Sequence, residues 1–364
     1  MHESDGFSLC EQCVARQGTS YQIRLVAHRK CFICHGITSR TVPLARKVIS
    51  AIQRQQWSTF SVGIIMPAEI QEREDELRAE LKIRGRETLK SQFSRMISEV
   101  VRIETGKKVN RLRPDITILV NVATSTVELQ ARPLFVYGRY SKPRNVPQRM
   151  YFCPRCSGRG CHQCAGTGYV QTPSVESIVG SRFCKLMGAG RAKFTWFGSE
   201  DPDSQVLPPG RPFVLELKNP RRRIPPRRLN LVTGSGILHL SGLRALVDRP
   251  VKFPSFVFRT RVRMKASIKV AKDELRKLRG MNGATVRFDS GRGKVVYKKV
   301  YSIRTKTRGM GLISEIKMDG GLPVKRLVSG EGVSPSISEL LKIPLECEGF
   351  DILRVWERGE FQFG

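Results

Sequence analysis

The chain has 364 residues, 40% of them apolar, with 64 lysines and arginines against 32 aspartates and glutamates, a formal net charge of +32. That length is too great for one ordinary core and predicts two or three domains. The longest apolar runs, "SVGIIMP" and "ITILVNVA", are strand-length and far short of a membrane span, and the opening "MHESDGFSLC" lacks the basic and apolar regions of a secretory leader, so a soluble cytoplasmic protein is expected. The charge surplus asks for a polyanionic partner. Nucleic acid comes first, because neutralising phosphates releases counterions; a basic ribosome-associated protein or a generally basic proteome is the blander account.

Residues 1–40 form a loop-rich unit with two C-x-x-C pairs, Cys10 with Cys13 and Cys31 with Cys34. So short a segment needs a staple, and four thiolates suit a structural zinc; His28 and His35 are spare ligands nearby. From 41 to 149 the pattern alternates helix and strand, predicting a compact α/β domain. Leu44, Val48 and Ile52 recur at helical spacing, and "TFSVGIIMP" reads as a buried strand ended by Pro67. A charged, exposed helix follows, with Gly85 as its stop. Leu89, Phe93, Ile97 and Val100 mark a second helical stripe, and "DITILVNVATSTVELQA" a hairpin turning at Ala123–Ser125. "PLFVYGRY" adds a last strand, and the C-terminal edge "YGRYSKPRNVPQR" puts Arg139, Lys142, Arg144 and Arg149 beside Tyr137 and Tyr140. Cations interleaved with aromatics hold phosphates and stack on bases; the alternative is a solvated basic loop.

Residues 150–172 hold Cys153, Cys156, Cys161 and Cys164 in a tight, glycine-rich knuckle, either a second zinc site or a merely structural turn. Its repeat looks like that of the Hsp40 chaperones, but no J-domain pattern accompanies it. Cys184 and Cys347 stand alone as expected core residues. From 173 to 364 a mostly antiparallel, basic-faced sheet is expected. It includes "GRPFVLELKNPRRRIPPRR", an apolar strand running into Arg221, Arg222, Arg223, Arg227 and Arg228, and "SFVFRTRVRMKAS", which alternates apolar and basic residues. "KVAKDELRKLRG" reads as a short amphipathic helix. Glu200, Asp201 and Asp203 form an acidic loop out of keeping with its basic surroundings.

"TFSVGIIMP…EREDELR", "PDITILVNVATSTVELQARPLFVYGRYSK", the two cysteine sets, "GSEDPDSQVLPPGRPFVLEL" and "GGLPVKRLVSGEGVSPSISELL" occur here in this order. In that order they resemble the archaeal-type tRNA pseudouridine synthases that carry a THUMP domain. The resemblance implies an α+β fold: an N-terminal zinc module, a THUMP-like α/β domain, and a synthase domain on a mainly antiparallel mixed sheet. It implies isomerisation of uridine to pseudouridine in the TΨC loop of tRNA, at positions 54 and/or 55, after base flipping. The catalytic aspartate falls on Asp201, with Asp203 as the local alternative, and the basic residue on Lys325 or Arg326, with Leu327 as an apolar wall. Arg139, Lys142, Arg144, Arg211, Arg221, Arg222, Arg223, Arg227 and Arg228 are the expected RNA contacts. Zinc is expected to be structural, with no redox or nucleotide cofactor, the T-arm of tRNA as partner, no membrane and no obligate protein partner.

Two departures stand out. The arginine that precedes Glu-Asp in typical members is Ser199 here, so Lys193 or Arg211 would have to replace it. The motif whose tyrosine stacks on the target uracil is matched by "LSGLRALV", with Leu243 at the tyrosine's place, and "RFDSGRGK" is shorter than expected. These departures make a catalytically impaired tRNA-binding or RNA-folding protein the rival expectation. Other THUMP enzymes would need a glycine-rich S-adenosylmethionine loop or a P-loop-like segment, and neither occurs.

Overall fold

The computed structural model describes residues 6–170, 173–290 and 293–363. The opening residues 1–5, the end of the knuckle at 171–172 and the middle of "RFDSGRGK" lie outside the described residues. The chain divides into two units, Met1–Pro133 with Asn219–Arg223, and Leu134–Lys218 with Ile224–Gly364. Among the described residues no helix is long and apolar enough to cross a membrane.

The first unit opens with β1 (Phe7–Leu9), α1 (Glu11–Gln17) and β2 (Ile23–Leu25); Cys10 and Cys13 stand at the start of α1, and Cys31 and Cys34 follow β2. They are followed by α2 (Thr41–Ile52), β3 (Thr59–Ile65), α3 (Ala68–Glu80), α4 (Leu89–Thr105), β4 (Lys108–Val109), β5 (Ile116–Asn121) and β6 (Thr126–Ala131). The sheet runs β4-β3-β5-β6, parallel except for the β5–β6 hairpin. The α2 stripe is buried as expected. In α4 the buried row is Leu89, Phe93, Ile97 and Val101, and Val100 is only half-buried, because steps of four track one face more closely than a final step of three. Helix α3 ends before Leu81 rather than at Gly85, and it is not wholly a solvated helix. Its Glu74 is buried, paired with Arg16 at 3.0 Å and accepting from Gln17 Nε2 at 2.7 Å and the Leu89 amide at 2.9 Å. Cys10, Cys13, Cys31, Cys34, Leu9 and Ile33 share one core with Leu44, Phe60 and Phe93, so the N-terminal cysteine unit and the α/β layers fold as one body.

The second unit begins with β7 (Leu134–Lys142), which the sequence pattern assigned to the preceding domain. It is buried along nearly its whole length because it lies between two later strands of the large sheet. Next come α5 (Val175–Met187), β8 (Arg191–Trp196), β9 (Val206–Lys218), β10 (Leu229–Thr233), β11 (Gly236–Ala245), β12 (Pro250–Lys252) and β13 (Ser255–Ala266). A 3-10 stretch at Glu274–Met281 replaces the expected amphipathic helix. The chain ends with β14 (Thr285–Asp289), β15 (Val295–Arg308), β16 (Gly311–Asp319), α6 (Val324–Ser329), β17 (Val333–Ser334), α7 (Ile337–Leu341), β18 (Leu345–Arg358) and β19 (Gln362–Phe363). The sheet order is β10-β11-β7-β9-β18-β13-β16-β15-β14-β17, with β8 also on β9; it is antiparallel except at β9–β18. One unit with a mainly antiparallel mixed sheet and one mixed α/β unit are the α+β architecture expected.

Candidate active site

The acidic loop between β8 and β9 is held from beneath by buried cations. Arg211, 1% exposed although it carries a full charge, donates from Nη1 to the Glu200 carboxylate at 2.8 Å and to the Ser199 carbonyl at 3.1 Å. Its Nη2 donates to the Phe197 carbonyl at 2.8 Å. Lys142 lies 3.4 Å from Glu200 Oε1 and donates to the Ser204 and Pro202 carbonyls. Tyr140 donates its hydroxyl to Glu200 at 2.9 Å and accepts from Gln148 Nε2 at 2.8 Å. Burial, and after it the Glu200 charge, lifts the Tyr140 phenol well above its ordinary value; burial lowers the Lys142 ammonium. A charge this deep is tolerated only when paired and hydrogen-bonded. The sequence suggested Lys142 and Arg211 as phosphate contacts; both are instead buried, with the Lys142 ammonium and both Arg211 Nη atoms turned to the loop.

The loop so held turns Asp201 toward a cavity of about 780 Å³. Asp201 Oδ1 lies 3.0 Å from Lys325 Nζ at the start of α6. The hydrogen bond to Asp201 raises the Lys325 ammonium above its ordinary value. Between the two basic candidates of this motif, geometry favours Lys325, since Arg326 donates to the backbone carbonyls of Glu331, Asp289 and Gly332. The apolar lining includes Phe258, Met318, Leu322, Val324, Phe350 and Ile352. Leu327, expected as a wall, is fully buried in the core instead, one turn further along α6. Leu243 is not at the cavity either: it packs over Gly138, between β11 and β7. Two rings line the cavity, Phe258 on β13 and Phe350 on β18, and the Arg211 guanidinium lies 5.3 Å from the Phe258 centroid. A paired carboxylate and ammonium beside an apolar wall can receive a flat uncharged ring and act on its bond to a neighbouring group.

The sequence signal for the role of Arg211 beneath the loop was slight. Arg211 stands in the largely apolar "PPGRPFVLEL", where Glu216 is the other charge, and an arginine in a buried strand implies an acidic partner, here Glu200. Asp203 is not at the cavity; its carbonyl accepts from Arg144 Nη1 at 3.2 Å, and Arg144 also pairs with the buried Asp351 at 2.6 Å. Arg263 joins the same Asp351 at 2.7 Å. Arg139 is half-buried against Glu357 at 2.6 Å. Arg223 belongs to the first unit, 3.6 Å from Asp115 and donating to the Arg132 carbonyl at 2.8 Å, so it too has a structural task. Arg221, Arg222, Arg227 and Arg228 are exposed, as a phosphate contact requires.

Both cysteine sets converge. The four sulfurs of Cys10, Cys13, Cys31 and Cys34 lie within 4.8 Å of one another, as do those of Cys153, Cys156, Cys161 and Cys164. Individual separations are 3.7 Å for Cys10–Cys34, 3.9 Å for Cys153–Cys161 and 3.8 Å for Cys156–Cys164. A tetrahedral zinc with bonds of about 2.3 Å sets its sulfurs roughly 3.8 Å apart. The donor sets fit that ion, and each could hold one metal. Cys184 and Cys347 are half-buried rather than core; Cys347 borders the Asp201–Lys325 pair, and burial pushes its thiol up to about 11.

Residues 44–121 match the archaeal Pus10 THUMP domain, and residues 135–233 the Pus10 C-terminal domain. The tRNA pseudouridine synthase Pus10 of Cenarchaeum symbiosum is 32% identical over 99% of this chain and 92% of its own. Those of Nitrosopumilus maritimus and Archaeoglobus fulgidus are each 29% identical, over 95% and 96% of this chain and 94% and 99% of theirs. With its α/β unit, mixed sheet, paired cysteines and acidic loop in one order, the chain belongs to the Pus10 family of tRNA pseudouridine synthases.

Proposed function

We propose that the chain converts uridine to pseudouridine in the T-arm of tRNA, at position 54, 55 or both, with Asp201 as the catalytic carboxylate. The observation that carries the reading is the Asp201–Lys325 pair at 3.0 Å on a cavity large enough for a flipped nucleoside. The uridine leaves its loop and lies against Phe258, with phosphate contacts offsetting the unstacking. The Asp201 carboxylate initiates cleavage of the C1′–N1 bond, the uracil turns in the apolar pocket, and C5 bonds to C1′. The C5 proton leaves and N1 gains one, so nothing is added or removed overall, and no electrons enter or leave. Lys325 holds the carboxylate in position and stays charged to a higher pH than an ordinary lysine. Zinc at the two cysteine sets holds structure and takes no part in the step.

One observation favours the rival, a tRNA-binding protein without turnover. Ser199 replaces the expected arginine, and Arg211, one of two cations that would have replaced it, is buried beneath Glu200. Carbodiimide primer extension on an unmodified tRNA transcript separates the two. A new T-loop stop that Asp201→Ala removes and Asp203→Ala keeps supports the enzyme. Tight tRNA binding with no stop in the wild type supports the rival.

A further inference from the structure

The sheet that carries Phe258 has a second face. Strand residues alternate sides, so while Phe258, Thr260, Met318 and Ile352 face the cavity, Arg259 and Lys317 between them face away. On that far face Arg259 of β13 lies directly between Arg354 of β18 and Lys317 of β16. Three cations side by side on adjacent strands repel one another. Arg259 is relieved by Glu315 at 2.5 Å, but among the described residues neither Lys317 nor Arg354 has a carboxylate partner. One row along, Val257 lies between Trp356 and Asp319, and Tyr301 donates to that Asp319 at 2.7 Å. The rings and cations interleave. Lys317 Nζ is 4.9 Å from the Trp356 centroid and 5.9 Å from that of Tyr301, with Arg354 at 5.4 Å from Trp356 and Arg358 at 4.7 Å from Tyr301.

We infer that this far face is a second RNA-binding surface, which takes a single-stranded stretch of RNA with bases on Trp356 and Tyr301 and phosphates on Lys317, Arg354 and Arg358. A single strand alternates base and phosphate as this face alternates ring and cation, and stacking on aromatic rings combined with backbone charge is how unpaired strands are held without sequence preference. Protein partners fit less well, since the cations of β16 and β18 left without a carboxylate would need a densely acidic surface opposite, whereas a phosphate backbone supplies that density by construction.

The test is fluorescence anisotropy of labelled dodecauridylate on the full chain, read as affinity against salt. Trp356→Ala is expected to weaken binding about tenfold, and Trp356→Phe, which keeps a ring, by less than about threefold. Lys317→Gln with Arg354→Gln is expected to reduce the salt slope by about 1.4, two phosphate contacts' worth on a single strand. None of the three substituted residues lines the Asp201–Lys325 cavity, so the result is independent of whether the cavity isomerises uridine. Unchanged affinity and slope in Trp356→Ala and in the double variant would overturn the inference. So would losses confined to duplex RNA or to phosphatidylserine vesicles, with dodecauridylate binding intact. Should Trp356→Ala fail to fold, the double glutamine variant decides alone.

Discussion

Glu200 and Asp201 are adjacent in sequence and opposite in fate: the Glu200 side chain is entirely buried between Arg211 and Lys142, and the Asp201 side chain, 21% exposed, turns to the cavity and Lys325. The first acid anchors the loop, and the second faces the cavity paired with Lys325. A buried ion cluster is justified less by net stability than by fixing one geometry, which here is that of the next residue.

Removing the lysine of the exposed pair should affect turnover more than binding. Lys325→Met is expected to lower the single-turnover rate of pseudouridine formation by roughly a hundredfold, the scale of one lost electrostatic contact at a reacting centre. Its tRNA affinity should stay within about threefold, checked by filter binding on the same preparation.

The buried cluster should behave in the opposite way. Arg211→Met leaves Glu200 without its closest cation and should cost about 3–5 kcal/mol, measured by thermal unfolding of the second unit. Restoring neutrality in Glu200→Gln with Arg211→Met should recover part of that stability while activity stays low, because the Ser199 and Phe197 carbonyls have lost their donor. Full activity in either variant would show that the loop is held by other means.

The cysteine sets should differ in consequence. Native mass spectrometry is expected to find two zinc ions per chain. Cys13→Ser should remove one and unfold the first unit, whose core contains that thiol. Cys156→Ser should remove the other and leave the main core of the second unit intact, because its cysteines form a small cluster of their own. Equal damage from both changes would contradict this.

Asp115 should set an acid limit on the first unit. Burial pushes its carboxyl up, but the Ser58 amide, the Arg223 charge, the Thr59 amide and the Arg132 charge outweigh burial and hold it below the ordinary value. A carboxyl lowered by folding contributes stability that is complete above its unfolded value, here 3.8, and is lost as pH falls through the folded value. Asp115→Asn should therefore cost about 1–3 kcal/mol near neutrality and progressively less as pH falls through the folded value, seen as loss of hydrogen-exchange protection in β3 and β5.

What the sequence disclosed was what depends on neighbours in the chain. The stripe of Leu44, Val48 and Ile52 and the hairpin at Ala123–Ser125 follow from local periodicity and turn chemistry. The cysteine clusters were legible too, since each pair is closed by a tight turn. What stayed hidden depends on distant partners. Nothing local says that β7 pairs with β9 and β11 rather than with the sheet before it. Lys142, Arg144 and Arg211 look like free cations until the acids that absorb them are in place, Glu200 from the loop before β9 and Asp351 from β18. Phe258 was missed because it sits in a strand that reads as ordinary alternation.

The five residues Asn219–Arg223 complete the first unit from far downstream, with the Arg221 carbonyl accepting from the Gln56 amide at 2.8 Å and Arg223 beside Asp115. During synthesis, then, the amino-terminal body emerges from the ribosome missing a piece and gains it only after β7, β8 and β9 have been made. A nascent chain stalled before that point would expose an unfinished body, and a gene cut at residue 133 would encode one.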